Sequence, residues 1–192
     1  LVLERSDLSM LDTLPEWFGG VGMIMKVEDP VSELEDVEFC QSHPVEVTDG
    51  VWRMVRDPRT VLSKDLCVVK PIHTEGAYNR QRYSIGECGL SLAGDVPVYW
   101  SFYQMMGRGA VLSRKARRTL RKAGPETGMD YLALGMNRKC SAPTSTCRVS
   151  FWKAFGITPD EQVALEAQYN RITPEWRKPD LVQHVGNIYC RS

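Results

Sequence analysis

Met10, Leu11, Leu14, Trp17 and Phe18 recur at helical spacing on one face, with Asp7 or Ser9 placed to cap the first turn and Gly19-Gly20 to end it. Val21 to Glu28 then reads as a strand, Asp29-Pro30 as a turn, and a second short strand follows through Val37-Glu38-Phe39. Asp49-Gly50 is a strong hairpin signal, because it sits between Pro44-Val45-Glu46-Val47 and the alternating run from Val51 to Arg56. Asp57-Pro58-Arg59 breaks that strand, and after a short apolar stretch at Leu66 to Val69 the pattern changes.

From about Asn79 the apolar spacing predicts helices over Asn79 to Leu92, Val98 to Met106, Ser113 to Lys122, Gly128 to Leu134, Arg148 to Phe155 and Pro159 to Arg171. The sixth is the best marked, since Thr158-Pro159-Asp160-Glu161 combines a capping box, a proline at the first helical position and acidic residues at the positive end of the dipole. Trp100, Trp152, Phe151 and Phe155 sit among apolar neighbours and are expected to pack in a core. The expected fold class is α+β, a small antiparallel sheet followed by a mainly helical part.

Composition narrows this picture only a little. The chain has 192 residues and 43% hydrophobic content, enough for one compact domain or two small subdomains sharing a core. Its 24 basic and 24 acidic residues balance, so an RNA-binding surface would have to come from local segregation of charge. The six cysteines form no CxxC pair, which argues against a zinc ribbon or a thioredoxin-type site, and they read as reduced, intracellular thiols. His43, His73 and His184 are too dispersed to make a metal site by spacing. No apolar run is long enough to span a bilayer and the first residues form no signal peptide, so the chain reads as soluble and untargeted. It opens on Leu1 without Met, and Leu1-Val2-Leu3 reads as a strand entered in the middle, so a piece of something longer is expected.

Three segments carry a resemblance. The stretch from Val37 to Val45, followed by Trp52-Arg53-Met54-Val55-Arg56-Asp57-Pro58 and Ser63-Lys64-Asp65, resembles the region after the catalytic core of tombusvirus-like viral RNA-dependent RNA polymerases. Its Phe39-Cys40-Gln41 turn is similar to their motif E. Gly22 to Glu28, preceded by a helix, resembles motif D in content and in spacing to that turn. Leu1 to Leu8 resembles the strand that leaves the Gly-Asp-Asp turn of motif C, a turn that is itself absent from the sequence.

The resemblance implies the end of a polymerase palm over residues 1–60 and a helical thumb over residues 61–192. It implies nucleotide joining by a two-metal reaction with Mg2+ or Mn2+ in the complete enzyme. The metal-binding aspartates belong to motifs A and C, so this chain alone is expected to bind no metal and to be inactive. Template and product RNA, nucleoside triphosphates and the upstream fingers and palm are the implied partners. The host cell cytoplasm, including membrane-associated replication complexes, is the implied location.

Motif E supports the 3′ end of the nascent strand, so Phe39, Cys40, Gln41 and Ser42 would present backbone amides and short polar groups to sugar and phosphate, contacts that position without reading sequence. The plain alternative is a core phenylalanine in an ordinary hairpin corner. Lys26 would donate a proton to the departing pyrophosphate or neutralise its charge, unless it is a solvated strand lysine beside Glu28. Arg53 and Arg56 point to opposite faces of their strand; Arg56 matches the family pattern better, and Lys64 would also meet the template-product duplex. Either could instead be a surface ion-pair residue. The run Arg114, Lys115, Arg117, Arg118, Arg121 and Lys122 is either a solvated helix or a thumb helix laid along the product RNA backbone. A stand-alone RNA-binding module using that run is the competing reading. A structural or interaction protein with a coincidental turn is the third.

Overall fold

The structure, a computed structural model, describes residues 5–67, 72–112, 133, 135–139 and 141–177. It has two compact units, Leu1–Leu34 and Glu35–Ser192.

In the first unit, helix α1 (Met10–Gly20) starts after Ser9, whose side chain makes no capping bond, and carries Pro15 inside it. It ends as the glycines predict, although the left-handed residue is Gly22, at φ 81. Met23 N–H reaches back to Phe18 C=O at 2.9 Å and Gly22 N–H to Gly19 C=O at 3.0 Å, the paired closure of a Schellman motif. No residue of α1 is buried.

The strand expected over Val21 to Glu28 is not formed, and Ile24 is fully exposed. A strand needs a ladder partner, and none of the described residues supplies one. The strand expected through Val37 to Phe39 shrinks to an isolated bridge between Phe39 and Ser42. There the chain has just left a short 3-10 turn, Leu34–Asp36, that buries Glu35 and redirects the backbone.

The second unit begins with the predicted hairpin, β1 (Ser42–Thr48) and β2 (Val51–Arg56), paired antiparallel about Asp49-Gly50. Gly50 takes φ 76, which the tight turn requires and which a side chain would resist. The register shifts between Glu46 and Thr48. The bulged Val47 C=O accepts from the Thr144 hydroxyl at 3.0 Å, and that hydroxyl also caps α5 (Ser145–Phe155) by accepting from Cys147 N–H at 3.1 Å. One side chain thus seats a helix on a bulge.

Pro58 does more than break the strand. With Asp57 accepting from Thr60 N–H it opens a helix that the sequence pattern did not predict, α2 (Pro58–Lys64). Helix α3 (Glu75–Ala93) begins four residues before its expected start, because the Thr74 side chain caps it. It packs on α4 (Tyr99–Gly107), and α6 (Pro159–Arg171) matches its predicted bounds, capping box included. The expected helices at Ser113 to Lys122 and Gly128 to Leu134 lie outside the described residues, Ala133 excepted.

Val45, Tyr99, Phe102, Tyr103 and Phe151 are at most 2% exposed and form one core between hairpin and helices. Each such side chain contributes about 1.5–3 kcal/mol by leaving water. Phe155 joins them, but Trp152 does not: it is 47% exposed on the outer side of α5. Helical spacing puts Phe151 and Phe155 on the buried stripe and leaves Trp152, one position on from Phe151, beside it.

Among the described residues the buried charged groups are paired, whereas the Trp100 Nε1 and the Ser101 hydroxyl find no hydrogen-bond partner. Arg82, 3% exposed, donates to the Met106 and Arg108 carbonyls that end α4 and to Asn79. Arg108 in turn caps the end of α6 through the Tyr169, Asn170 and Ile172 carbonyls. Cations at helix C-termini are favoured by the dipole. Glu166 holds Arg148 at 3.0 and 2.9 Å and also accepts the Val98 N–H at 2.9 Å. Cys147 is fully buried, which pushes its thiol up to about 12 and keeps it protonated; Asp95 works in the same direction. Cys40, Cys67 and Cys147 are free thiols. Among the described residues no helix is long and apolar enough to cross a membrane.

Candidate functional site

The Phe39 to Ser42 segment closes on itself. Phe39 N–H donates to Ser42 C=O at 2.9 Å and Ser42 N–H to Phe39 C=O at 3.0 Å, with Cys40 at φ 52 and Gln41 at φ 60 between them. Two central residues with positive φ make a type I′ turn, a position usually given to Asn-Gly or Gly-Gly. Here neither residue is glycine, so the turn holds about 1–2 kcal/mol of strain per residue. Such strain persists only where the surroundings over-determine it.

Those surroundings are visible. The Gln41 C=O accepts from Asp57 N–H at 3.1 Å, and Ser42 pairs with Arg56 in the sheet register. Asp57 at the same time caps α2 with its carboxylate. On the near side, Ser150 of α5 donates to the Glu35 carboxylate at 3.0 Å and accepts from Glu46 N–H at 2.9 Å. His43 meets the Glu35 carbonyl at 3.0 Å and the edge of Phe155. Glu35 and Ser150 are buried, so the entry to the turn is as fixed as its exit.

What the turn presents is different in character. Phe39 is 68% exposed, not the core residue that a hairpin corner would make it. Cys40 and Gln41 are exposed, and Ser42 is buried with its hydroxyl 3.5 Å from the Cys40 C=O. Among the described residues neither the Cys40 nor the Gln41 amide donates to a main-chain carbonyl, as is usual for the central amides of such a turn. The arrangement can offer two N–H donors and an aromatic face from a rigid base.

Arg56 is not a free cation. Its guanidinium donates to Asp65 at 2.9 Å, and Asp65 is 5% exposed at its side chain. Burial works to lower the Arg56 pKa, but the hydrogen bond and charge of Asp65 outweigh it and the net direction is up. Arg53 pairs with Asp95 on the opposite face. Lys64 is exposed at the end of α2. Lys26 belongs to the first unit, 88% exposed at its side chain and 4.0 Å from Glu28. Arg114, Lys115, Arg117, Arg118, Arg121 and Lys122 lie outside the described residues.

Three residues without an assigned role in the sequence converge on the base of the turn. Tyr99 donates its hydroxyl to the Arg56 C=O at 2.5 Å, and Tyr103 donates to Asp65 at 2.7 Å. Burial raises both phenol pKa values well above the ordinary range, and each ring's electrostatic neighbours, Tyr103 for Tyr99 and Asp65 for Tyr103, add to it. Both therefore stay protonated donors. Their i, i+4 spacing was legible as one helix face, but not what that face would touch. Among the described residues no three His, Cys, Asp or Glu side chains are grouped so as to hold a metal ion.

A family model described as viral RNA dependent RNA polymerase matches residues 1–177 of the chain. The chain is 42% identical over 177 residues to an RNA-directed RNA polymerase of Pothos latent virus (isolate Pigeonpea/India), covering 91% of this chain and 22% of that protein. With the RNA-directed RNA polymerase of Tobacco necrosis virus (strain A) it shares 38% identity over 172 residues, 88% of this chain and 23% of that one. With that of Tomato bushy stunt virus (strain Cherry) the figures are 39% over 179 residues, 89% and 20%. The chain thus spans about a fifth of the length of the curated relatives it matches. No solved structure matches it.

Proposed function

This chain belongs to the viral RNA-dependent RNA polymerase family, and from that membership we propose that its Phe39–Ser42 turn supports the 3′ end of the growing RNA strand during nucleotide addition. The observation that carries the reading is the strained turn without glycine, fixed from behind and exposed in front. Its two amides suit phosphate or sugar oxygens, and the Phe39 ring suits a sugar or base face. Arg56 keeps donors beyond the one given to Asp65, and exposed Lys64 at the end of α2 is a second cation for the RNA backbone.

In this reading the helical part is a thumb that grips template and product RNA, while fingers and the rest of the palm stand upstream. Nucleoside triphosphates and Mg2+ or Mn2+ bind at aspartates that are not among these residues. Lys26 faces solvent at a motif D-like position, where it would meet the departing pyrophosphate.

The test is primer extension by the complete polymerase. Phe39→Ala and Gln41→Ala should each lower the extension rate about tenfold or more, and Lys26→Ala should lower it with primer affinity unchanged. The 192-residue chain assayed alone should add no nucleotide. Wild-type extension by both turn variants would remove the turn from the mechanism, and wild-type extension by Lys26→Ala would return that lysine to the solvated surface.

The basic run at residues 114–122 makes a separate expectation, as a grip on the product backbone. Neutralising Arg117, Arg118 or Arg121 should weaken RNA binding and flatten its log-log salt dependence by about one unit for each phosphate that is no longer neutralised. An unchanged slope would mark the run as a solvated helix.

A further inference from the structure

The turn that would carry the 3′ end is held from a distance, by a helix face that reaches the backbone of Arg56 directly and its side chain through Asp65. Tyr99 and Tyr103 lie four residues apart on α4, their rings stacked with centroids 6.1 Å apart. The Tyr99 hydroxyl holds the Arg56 carbonyl. The Tyr103 hydroxyl holds the Asp65 carboxylate, which holds the Arg56 guanidinium. Arg56 faces Ser42 across the ladder, and the next residue, Asp57, donates its N–H to Gln41 C=O inside the turn.

We infer that Tyr99 and Tyr103 are positioning residues for the polymerase reaction, a two-point latch by which α4 sets the place and orientation of the Phe39–Ser42 turn. The inference rests on the reading of that turn as the support of the RNA 3′ end. Three features of the latch argue against a merely structural role. First, the rings alone fill the core: Tyr99 and Tyr103 are 1% and 2% exposed and pack on Phe151 and Phe102, so phenylalanine would serve for packing. Second, both hydroxyls go to one residue or its immediate partner rather than to scattered groups. Third, the strained turn needs an external restraint at its exit strand, because left-handed Cys40 and Gln41 would relax if Arg56 and Asp57 could shift. A latch of this kind lets the helical part and the turn move as one body along the product strand.

The test uses the complete polymerase on an RNA primer annealed to a template. Tyr99→Phe and Tyr103→Phe keep the rings and remove one hydroxyl each. Each should raise the apparent dissociation constant for the primed template, or lower the extension rate at saturating nucleotide, about five- to tenfold while the KM for nucleotide stays constant. Asp65→Asn combined with Tyr103→Phe should cost little more than either alone, because the two act through one link. Wild-type extension by both phenylalanine variants, with Phe39→Ala impaired, would overturn the latch and leave the turn reading standing. If Phe39→Ala were also silent, the turn reading itself would fall and the latch with it. A parallel loss of thermal stability, primer affinity and nucleotide KM would equally overturn the inference, by showing the hydroxyls to be structural only.

Discussion

Replacing Glu166 with alanine should make the amides of α4 exchange with solvent about a hundredfold faster in the intact polymerase, the equivalent of about 3 kcal/mol of local stability. Glu166 is 7% exposed and has three tasks. Its two oxygens accept from both terminal nitrogens of Arg148, and one of them also accepts from Val98 N–H. Val98 is β-branched yet sits at φ 68 and ψ −49, with Tyr99 N–H closing on Pro97 C=O at 2.7 Å. This is a γ-turn that a valine adopts only under restraint. Without the carboxylate, a largely buried guanidinium is left, among the described residues, with the Gln162 side chain, and the first turn of α4 loses its anchor. Glu166→Gln retains an acceptor for Val98 and should lose much less. Exchange in α4 within a factor of about three of wild type for Glu166→Ala would mean that the buried pair contributes nothing net.

Much of this architecture could be read from the chain, because its signals are local. The hairpin followed from Asp49-Gly50, and α6 from its capping box and proline, each of which acts within a few residues. Pro58 shows how a local signal can be read in only one of its two senses: it does end β2, but behind Asp57 it also starts α2. The extended reading of Val21 to Glu28 failed for a different reason, since a strand is a property of two segments and the pattern of one cannot supply the other.

The site divides along the same line. Phe39 to Ser42 could be singled out only through resemblance, because a left-handed pair without glycine leaves no compositional mark. Asp65, Tyr99 and Tyr103 were invisible as a group: the two tyrosines are 43 and 38 residues from the atoms they hold, and nothing in tyrosines spaced i, i+4 says that their hydroxyls share one arginine. Arg56 was marked through the resemblance, and its guanidinium is paired with Asp65. Placing it required the fold.

Gly89→Ala tests whether that fold transmits to the turn, and it should disrupt the packing of α3 on α4. In an exposed helix the change would stabilise by up to about 1 kcal/mol, since alanine is the better helix former. At Gly89 a Cβ would fall into the Tyr103 ring, far inside 3.0 Å of its carbons. The ring has nowhere to go: it is 2% exposed, stacked on Tyr99, set edge-on to Phe102 and tied by its hydroxyl to Asp65. More than three turns of helix separate Gly89 from an internal control, Gly76, whose Cβ would meet only an Arg80 nitrogen at 3.6 Å. Gly76→Ala should therefore be neutral or slightly stabilising, whereas Gly89→Ala should destabilise α3 and α4 by about 3 kcal/mol, through overpacking and the lost Tyr103 bond together. Hydrogen exchange across the two helices reads that difference directly. Because displaced Tyr103 releases Asp65 and with it Arg56, Gly89→Ala should also impair primer extension at temperatures where the polymerase remains folded, and more severely than Tyr103→Phe. If the two alanine variants were indistinguishable in exchange and extension, α3 and α4 would not be packed at the distance seen here, and the route from helix to turn would lose its first link.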